Sequence, residues 1–161
     1  MTFLPIAALL LTALLALPAD ADDTSPNSYS SGSSANDKLA PARAQIGAKN
    51  WAGAVRELKA VNDPGNADWN NLMGFSLRKL PNPDLAVAER HYNEALRLDP
   101  SHRGALEYSG ELYLMMGDLA RAEQRLAQLD KACRLGCDEY TKLKQTVARY
   151  KAAGNKHVAA P

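Results

Sequence analysis

Residues 66–132 read NADWNNLMGFSLRKLPNPDLAVAERHYNEALRLDPSHRGALEYSGELYLMMGDLARAEQRLAQLDKA, and a beat of 34 runs through them. Asn50, Asp84 and Asp118 stand 34 apart, as do Trp51, Leu85 and Leu119; Ala54, Ala88 and Ala122; Leu58, Tyr92 and Leu126; and Val61, Ala95 and Leu129. The first set are good helix N-caps, whose side-chain oxygens accept from the orphan amides of a first turn. The other four sets are apolar, or small where two helices must approach. They fall at i, i+3, i+7 and i+10, one stripe along a helix. Five positions in register, each filled three times in kind, mean three copies of one structural unit.

A second amphipathic stretch completes each unit. Before Asp118 it is Leu106, Ser109, Gly110 and Tyr113, ending at Gly117; before Asp84 it is Leu72, Met73, Gly74 and Leu77. Each unit is therefore helix, tight turn, helix. Gly74 and Gly110 fall mid-helix, where glycine costs about 1 kcal/mol against alanine. A close helix–helix approach is the expected return.

This pattern resembles the tetratricopeptide repeat. The residues that carry the resemblance are Gly74, Leu77, Ala88, Tyr92, Ala95 and Pro100, then Leu106, Gly110, Tyr113, Gly117, Ala122, Leu126 and Leu129. The sequence departs from the pattern in a longer turn at Leu80-Pro81-Asn82-Pro83, in Pro41 within the first helix, and in the missing closing Pro of the third repeat. The resemblance implies an all-α fold: a right-handed α-α superhelix of about three helix pairs plus a C-terminal capping helix. The helices are expected at 40–48, 51–61, 66–80, 84–98, 102–116, 119–133 and about 138–152. On the last, Tyr140, Leu143, Val147 and Tyr150 form one stripe, with Lys142, Lys144, Gln145, Arg149 and Lys151 between them. One face on the stack and one in water suits the end of a repeat array.

The rest of the 161-residue chain is punctuation. Residues 6–17, IAALLLTALLAL, are too short to span a bilayer, which needs about 20 residues. Ala19-Asp20-Ala21 follows as an A-x-A cleavage site. The expected organisation is a signal peptide at 1–21, a flexible Ser-rich leader at 22–38, the repeat domain at 39–153 and a frayed tail at 154–161. A cleaved signal implies a periplasmic protein with no membrane anchor in the mature chain. Removing residues 1–21 takes away Asp20 and no base, leaving 19 basic against 17 acidic residues and a formal charge of +2. So even a balance argues against nucleic acid, whose phosphates call for a concentrated basic footprint.

No catalytic constellation emerges, and the chain reads as a non-enzyme without a cofactor. His91, His102 and His157 are scattered, and His91 reads as a half-buried surface residue. Met115 and Met116 read as adaptable core filling rather than copper ligands. Glu107 and Glu111 share a helix face, which suits a solvated or partner-facing surface where no His or Asp stands at a matching spacing. Cys133 and Cys137, in Cys-Arg-Leu-Gly-Cys, carry the unusual chemistry. In an oxidising compartment they are expected as a disulfide pinning the end helix. Gly136 is expected to end one helix in a left-handed conformation and Asp138 to cap the next. A redox pair or a copper-binding dithiol is the rival. This corner resembles small exported bacterial tetratricopeptide-repeat proteins with a Cys pair before the end helix.

The resemblance also implies a groove lined by the first helix of each pair. Its positions map to Asp68, Asn71, Phe75, Arg78 and Lys79, then Gly104, Glu107, Glu111, Leu114 and Met115. Phe75, Leu114 and Met115 would be apolar anchors on a floor positive on one repeat and negative on the next. Such a groove suits a protein or extended peptide partner. The carboxylate clamp of some members is not matched, since Gly104 and Tyr108 stand where basic residues would be wanted. Two other functions stay open: a periplasmic metal-handling or thiol-redox protein using Cys133 and Cys137, and an element that self-associates through an exposed repeat edge.

Overall fold

A computed structural model describes residues 37–157, so the expected signal peptide, nearly all of the leader and the last four residues lie outside the described residues. Seven helices follow in order: α1 (Ala40–Gly47), α2 (Trp51–Val61), α3 (Ala67–Arg78), α4 (Leu85–Leu98), α5 (Arg103–Met115), α6 (Leu119–Ala132) and α7 (Asp138–Ala152). The described residues are all-α. The helices pack as pairs, α1 on α2, α3 on α4 and α5 on α6, and each pair packs on the next. Helix α7 closes the series against α5 and α6.

The 34-residue beat is visible as chemistry. Asn50 accepts from the Gly53 amide at 3.0 Å, Asp84 from Val87 at 3.0 Å and Asp118 from Arg121 at 2.9 Å. Each cap satisfies an orphan amide and is worth about 1 kcal/mol. Asn66 caps α3 in the same way. Helix α1 starts with Pro41 in its first turn, where the missing N–H does no harm. One cap was not named from the sequence, and one differs from its expectation. His102 caps α5 through Nδ1, which accepts from the Ala105 amide at 3.1 Å. Cys137 rather than Asp138 is the N-cap of α7, its Sγ facing the Tyr140 amide at 3.4 Å. The tether to Cys133 sets that frame, and Asp138 becomes the first helical residue, where a carboxylate still suits the helix dipole.

The repeated apolar positions form the core. Ala54, Leu58, Ala88, Tyr92, Ala95, Ala122 and Leu129 are shut off from water, while Trp51, Val61, Leu85, Leu119 and Leu126 pack against them half-buried. Leu143, Val147 and Tyr150 of α7 join the same core. The two mid-helix glycines are close-approach points. A Cβ on Gly74 would stand 2.9 Å from the Tyr92 ring and 3.1 Å from the Ala88 carbonyl oxygen. A Cβ on Gly110 would stand 2.6 Å from the Leu143 side chain. Helix α3 is also tied back to α2 by the Trp69 indole, which donates to the Leu58 carbonyl at 2.7 Å. Before α1, Lys38 pairs with Asp63 at 2.6 Å and Asp37 meets Arg43 at 3.4 Å. After α7, the Asn155 amide folds back onto the Tyr150 carbonyl at 3.0 Å, with Asn155 left-handed.

Candidate functional site

The groove positions read from the sequence come together on α3 and α5, but most of them are covered. Phe75 is 2% exposed, Arg78 6% and Glu107 0%. Asn71 and Leu114 are buried as well, and Lys79, Glu111 and Met115 are half-buried. The Phe75 ring lies 4.6 Å from the Tyr108 ring centroid and 5.8 Å from that of Trp51, edge-on to the latter. Phe75 is thus a bridge between α2, α3 and α5, not an open anchor. Polar side chains expected to face outward are drawn inward because this aromatic cluster offers them flat faces and charged partners.

Arg78 is the centre of the cluster. Its Nη2 donates to Glu111 Oε2 at 2.8 Å and its Nη1 lies 3.7 Å from the Met115 sulfur. The guanidinium sits 5.6 Å from the Phe75 centroid and 5.8 Å from that of Tyr108, within cation–π range. Burial works against its charge, but Tyr92 and Glu111 outweigh burial and hold it protonated beyond the usual arginine range. The Tyr92 hydroxyl faces the guanidinium without meeting strict hydrogen-bond geometry, and burial raises its pKa although Arg78 offsets part of the rise. Burial, then Glu107 and Glu111, raise the Tyr108 phenol too. Lys79 carries its ammonium 5.7 Å from the Phe75 centroid, and burial lowers its pKa against the pull of Glu111. Positive and negative positions of adjacent repeats therefore answer each other across the α3–α5 junction. Asn71 Oδ1 and Arg78 Nε are buried without a hydrogen-bond partner.

Two neighbours of this face escaped the sequence reading. His157, exposed beyond α7, comes near enough that partial burial and the Arg78 and Lys79 charges lower its pKa, with Glu111 opposing. Only the turn at Asn155 brings it there, and no local pattern announces that. At the other end, His102 Nε2 lies 3.0 Å from Asp68 Oδ1. Because Nδ1 accepts from Ala105, Nε2 carries the proton and donates. That bond, against partial burial and aided by Arg43, holds the Asp68 carboxyl below its usual range. Arg43 reaches Asp68 at 3.3 Å, so α1, α3 and the N-cap of α5 meet in one polar edge.

At the far end of the stack, Cys133 and Cys137 lie at disulfide distance, 2.07 Å between sulfurs and 5.6 Å between Cα atoms. Cys133 closes α6 and Cys137 opens α7, with Gly136 left-handed between them at φ 85°. His91 donates from Nδ1 to Asn70 Oδ1 at 3.1 Å, the Asn70 amide nitrogen being spent on the Pro64 and Asn66 carbonyls.

Helix pairs stacked neighbour on neighbour, with a polar and aromatic seam between their first helices, define a helical-repeat scaffold. No helix among the described residues is long and apolar enough to cross a membrane. A family model described as the tetratricopeptide repeat matches residues 83–147, from the turn before α4 into α7. Over those residues the chain carries the tetratricopeptide repeat, of a family whose general role is protein interaction. None of the curated proteins matches its sequence.

Proposed function

We propose that the protein is an exported, non-catalytic scaffold that binds a protein partner as an extended segment along the α3–α5 face. The observation that carries this reading is the rim: Lys79, Glu111 and Met115 are half-buried together above a floor of Phe75, Tyr108 and Leu114. A mixed-sign edge with one soft apolar side chain, laid over a rigid aromatic floor, offers orientation by charge and area by packing. Export through the apolar segment at 6–17 and cleavage after Ala21 would place the scaffold in the periplasm.

Two measurements test this. A photo-crosslinking residue at Met115 should capture one defined partner that the same residue at Gln128, exposed on α6, does not. Charge reversal at Lys79→Glu should slow that capture in a salt-dependent way. Equal capture at both positions would reject the face. Sequencing of the protein released by osmotic shock should begin at Asp22. A soluble cytoplasmic form beginning at Met1 would reject export.

A further inference from the structure

We infer that Cys133, Cys137 and Glu139 form a redox-gated site for a zinc-class divalent cation, closed while the sulfurs are bonded and competent once they are reduced. Both sulfurs and a carboxylate oxygen of Glu139 lie within 4.8 Å of one another. Glu139 is 4% exposed, one turn from the chain reversal at Gly136. Its ionic neighbour is Arg103, 3.8 Å away, whose own side chain is 47% exposed. A metal between this carboxylate and the sulfurs would stand closer to it than that guanidinium does.

The backbone already suits the ligands. The Cys-x3-Cys spacing falls in the range of zinc-binding pairs, and the two Cα atoms stand 5.6 Å apart on a tight turn. The Tyr140 amide that faces Cys137 Sγ at the start of α7 would equally steady a thiolate there. Two thiolates alone suit Cu(I); a carboxylate oxygen as third donor shifts the preference to Zn(II), with water in the fourth position. Arg103 then faces the net negative charge of two thiolates and one carboxylate around a dication.

The chemistry balances with an external dithiol as reductant. The Cys133–Cys137 bond takes two electrons and two protons and opens to two thiols. The dithiol gives up the same and closes to its own disulfide. The metal next displaces the two thiol protons. A sulfur held in a disulfide has no thiolate to offer, so bond and metal exclude each other.

The test uses the full chain, reduced with a dithiol, desalted without air and titrated with Co(II). One equivalent should bind with a thiolate-to-cobalt charge-transfer band. Zn(II) should displace the cobalt and protect both thiols from a thiol reagent, and the oxidised protein should bind neither ion. Glu139→Gln should weaken binding at least tenfold with unchanged helicity, and Cys133→Ser with Cys137→Ser should abolish the band. X-ray absorption of the zinc-loaded, reduced wild type needs no variant and should show two sulfur and two oxygen donors. A reduced protein without the band, a Glu139→Gln variant of unchanged affinity, or a first shell lacking sulfur would overturn the assignment.

Discussion

Phe75→Ala removes the ring that joins three helices. Phe75 is 2% exposed, with Tyr108 of α5 at 4.6 Å and Trp51 of α2 at 5.8 Å between ring centroids. The Arg78 guanidinium and the Lys79 ammonium lie over its faces at 5.6 and 5.7 Å. Truncation forfeits the transfer energy of the ring and leaves a cavity that flanking aromatics fill only in part. Losses of about 3–5 kcal/mol are typical of such sites. Each aromatic contact accounts for roughly 0.5–1.5 kcal/mol of that. For a domain of this size the loss corresponds to a fall in melting temperature of about 10–25 °C. Far-UV circular dichroism should show it, with a urea midpoint that falls while the slope stays near wild type. Phe75→Leu, which keeps most of the volume, should lose less than about half as much. Partner capture by Phe75→Ala, measured well below its melting point, should survive, because the ring is packing and not a contact. A variant that melts within about 2 °C of wild type and yet loses its partner would refute this account and restore Phe75 as an exposed anchor.

Three further outcomes follow from the packing. Gly74→Ala should cost about 1–2 kcal/mol despite alanine's better helix propensity, since its Cβ would meet the Tyr92 ring at 2.9 Å and the Ala88 carbonyl at 3.1 Å. Gly65→Ala, with nothing within 4 Å, is the neutral control, and equal melting curves for the two would refute the close-approach role. His91 has its pKa lowered by burial and then by Arg90. The unfolded chain therefore takes up that proton first. Stability from this group is fully present above about pH 6.5 and declines as pH falls from there toward the depressed folded-state value. Urea midpoints from pH 7.5 to 5 should flatten in His91→Gln, and an unchanged profile would remove His91 as the cause. Arg78→Met alone should cost about 3–5 kcal/mol by stranding Glu111, whereas Arg78→Met with Glu111→Leu should recover most of it. Additive losses in the double variant would show that the pair is not acting as a pair.

The fold was legible because its signal is periodic. Asn50, Asp84 and Asp118 announce caps by type and spacing, and Ala88, Tyr92, Ala95, Ala122 and Leu129 announce burial by recurrence at the same register. The face was less legible. Asn71, Arg78 and Glu107 are polar, and on an isolated helix polar means outward. Their burial is decided by Phe75, Tyr92 and Tyr108, which lie on three different helices and meet only in the folded stack. His102 as a cap and His157 near the Arg78–Glu111 pair were hidden for a similar reason. The first is an uncommon capping residue, and the second is placed by one left-handed turn.

The Arg78–Glu111 pair, its guanidinium buried and its carboxylate half-buried, answers a problem that repetition creates. Helices whose apolar stripes recur at the same spacing can pair with the wrong neighbour almost as favourably as with the right one. Apolar packing discriminates weakly between them, since Ala54, Ala88 and Ala122 are the same residue and Leu58 and Leu126 are again alike. A buried ion pair adds little net stability, because desolvating two charges offsets most of their attraction. It is strongly directional, however, and it punishes any arrangement that separates its members. Across the longer turn the first helices of the second and third pairs are 36 residues apart, as Gly74 and Gly110 are, and 36 residues after Arg78 stands Leu114; α1 holds no acidic residue, so the guanidinium belongs to one junction alone. Misplacing α3 against another first helix would bury that charge with no carboxylate opposite. The same side chain that orients the aromatic floor of the candidate face thereby fixes which two repeats build it.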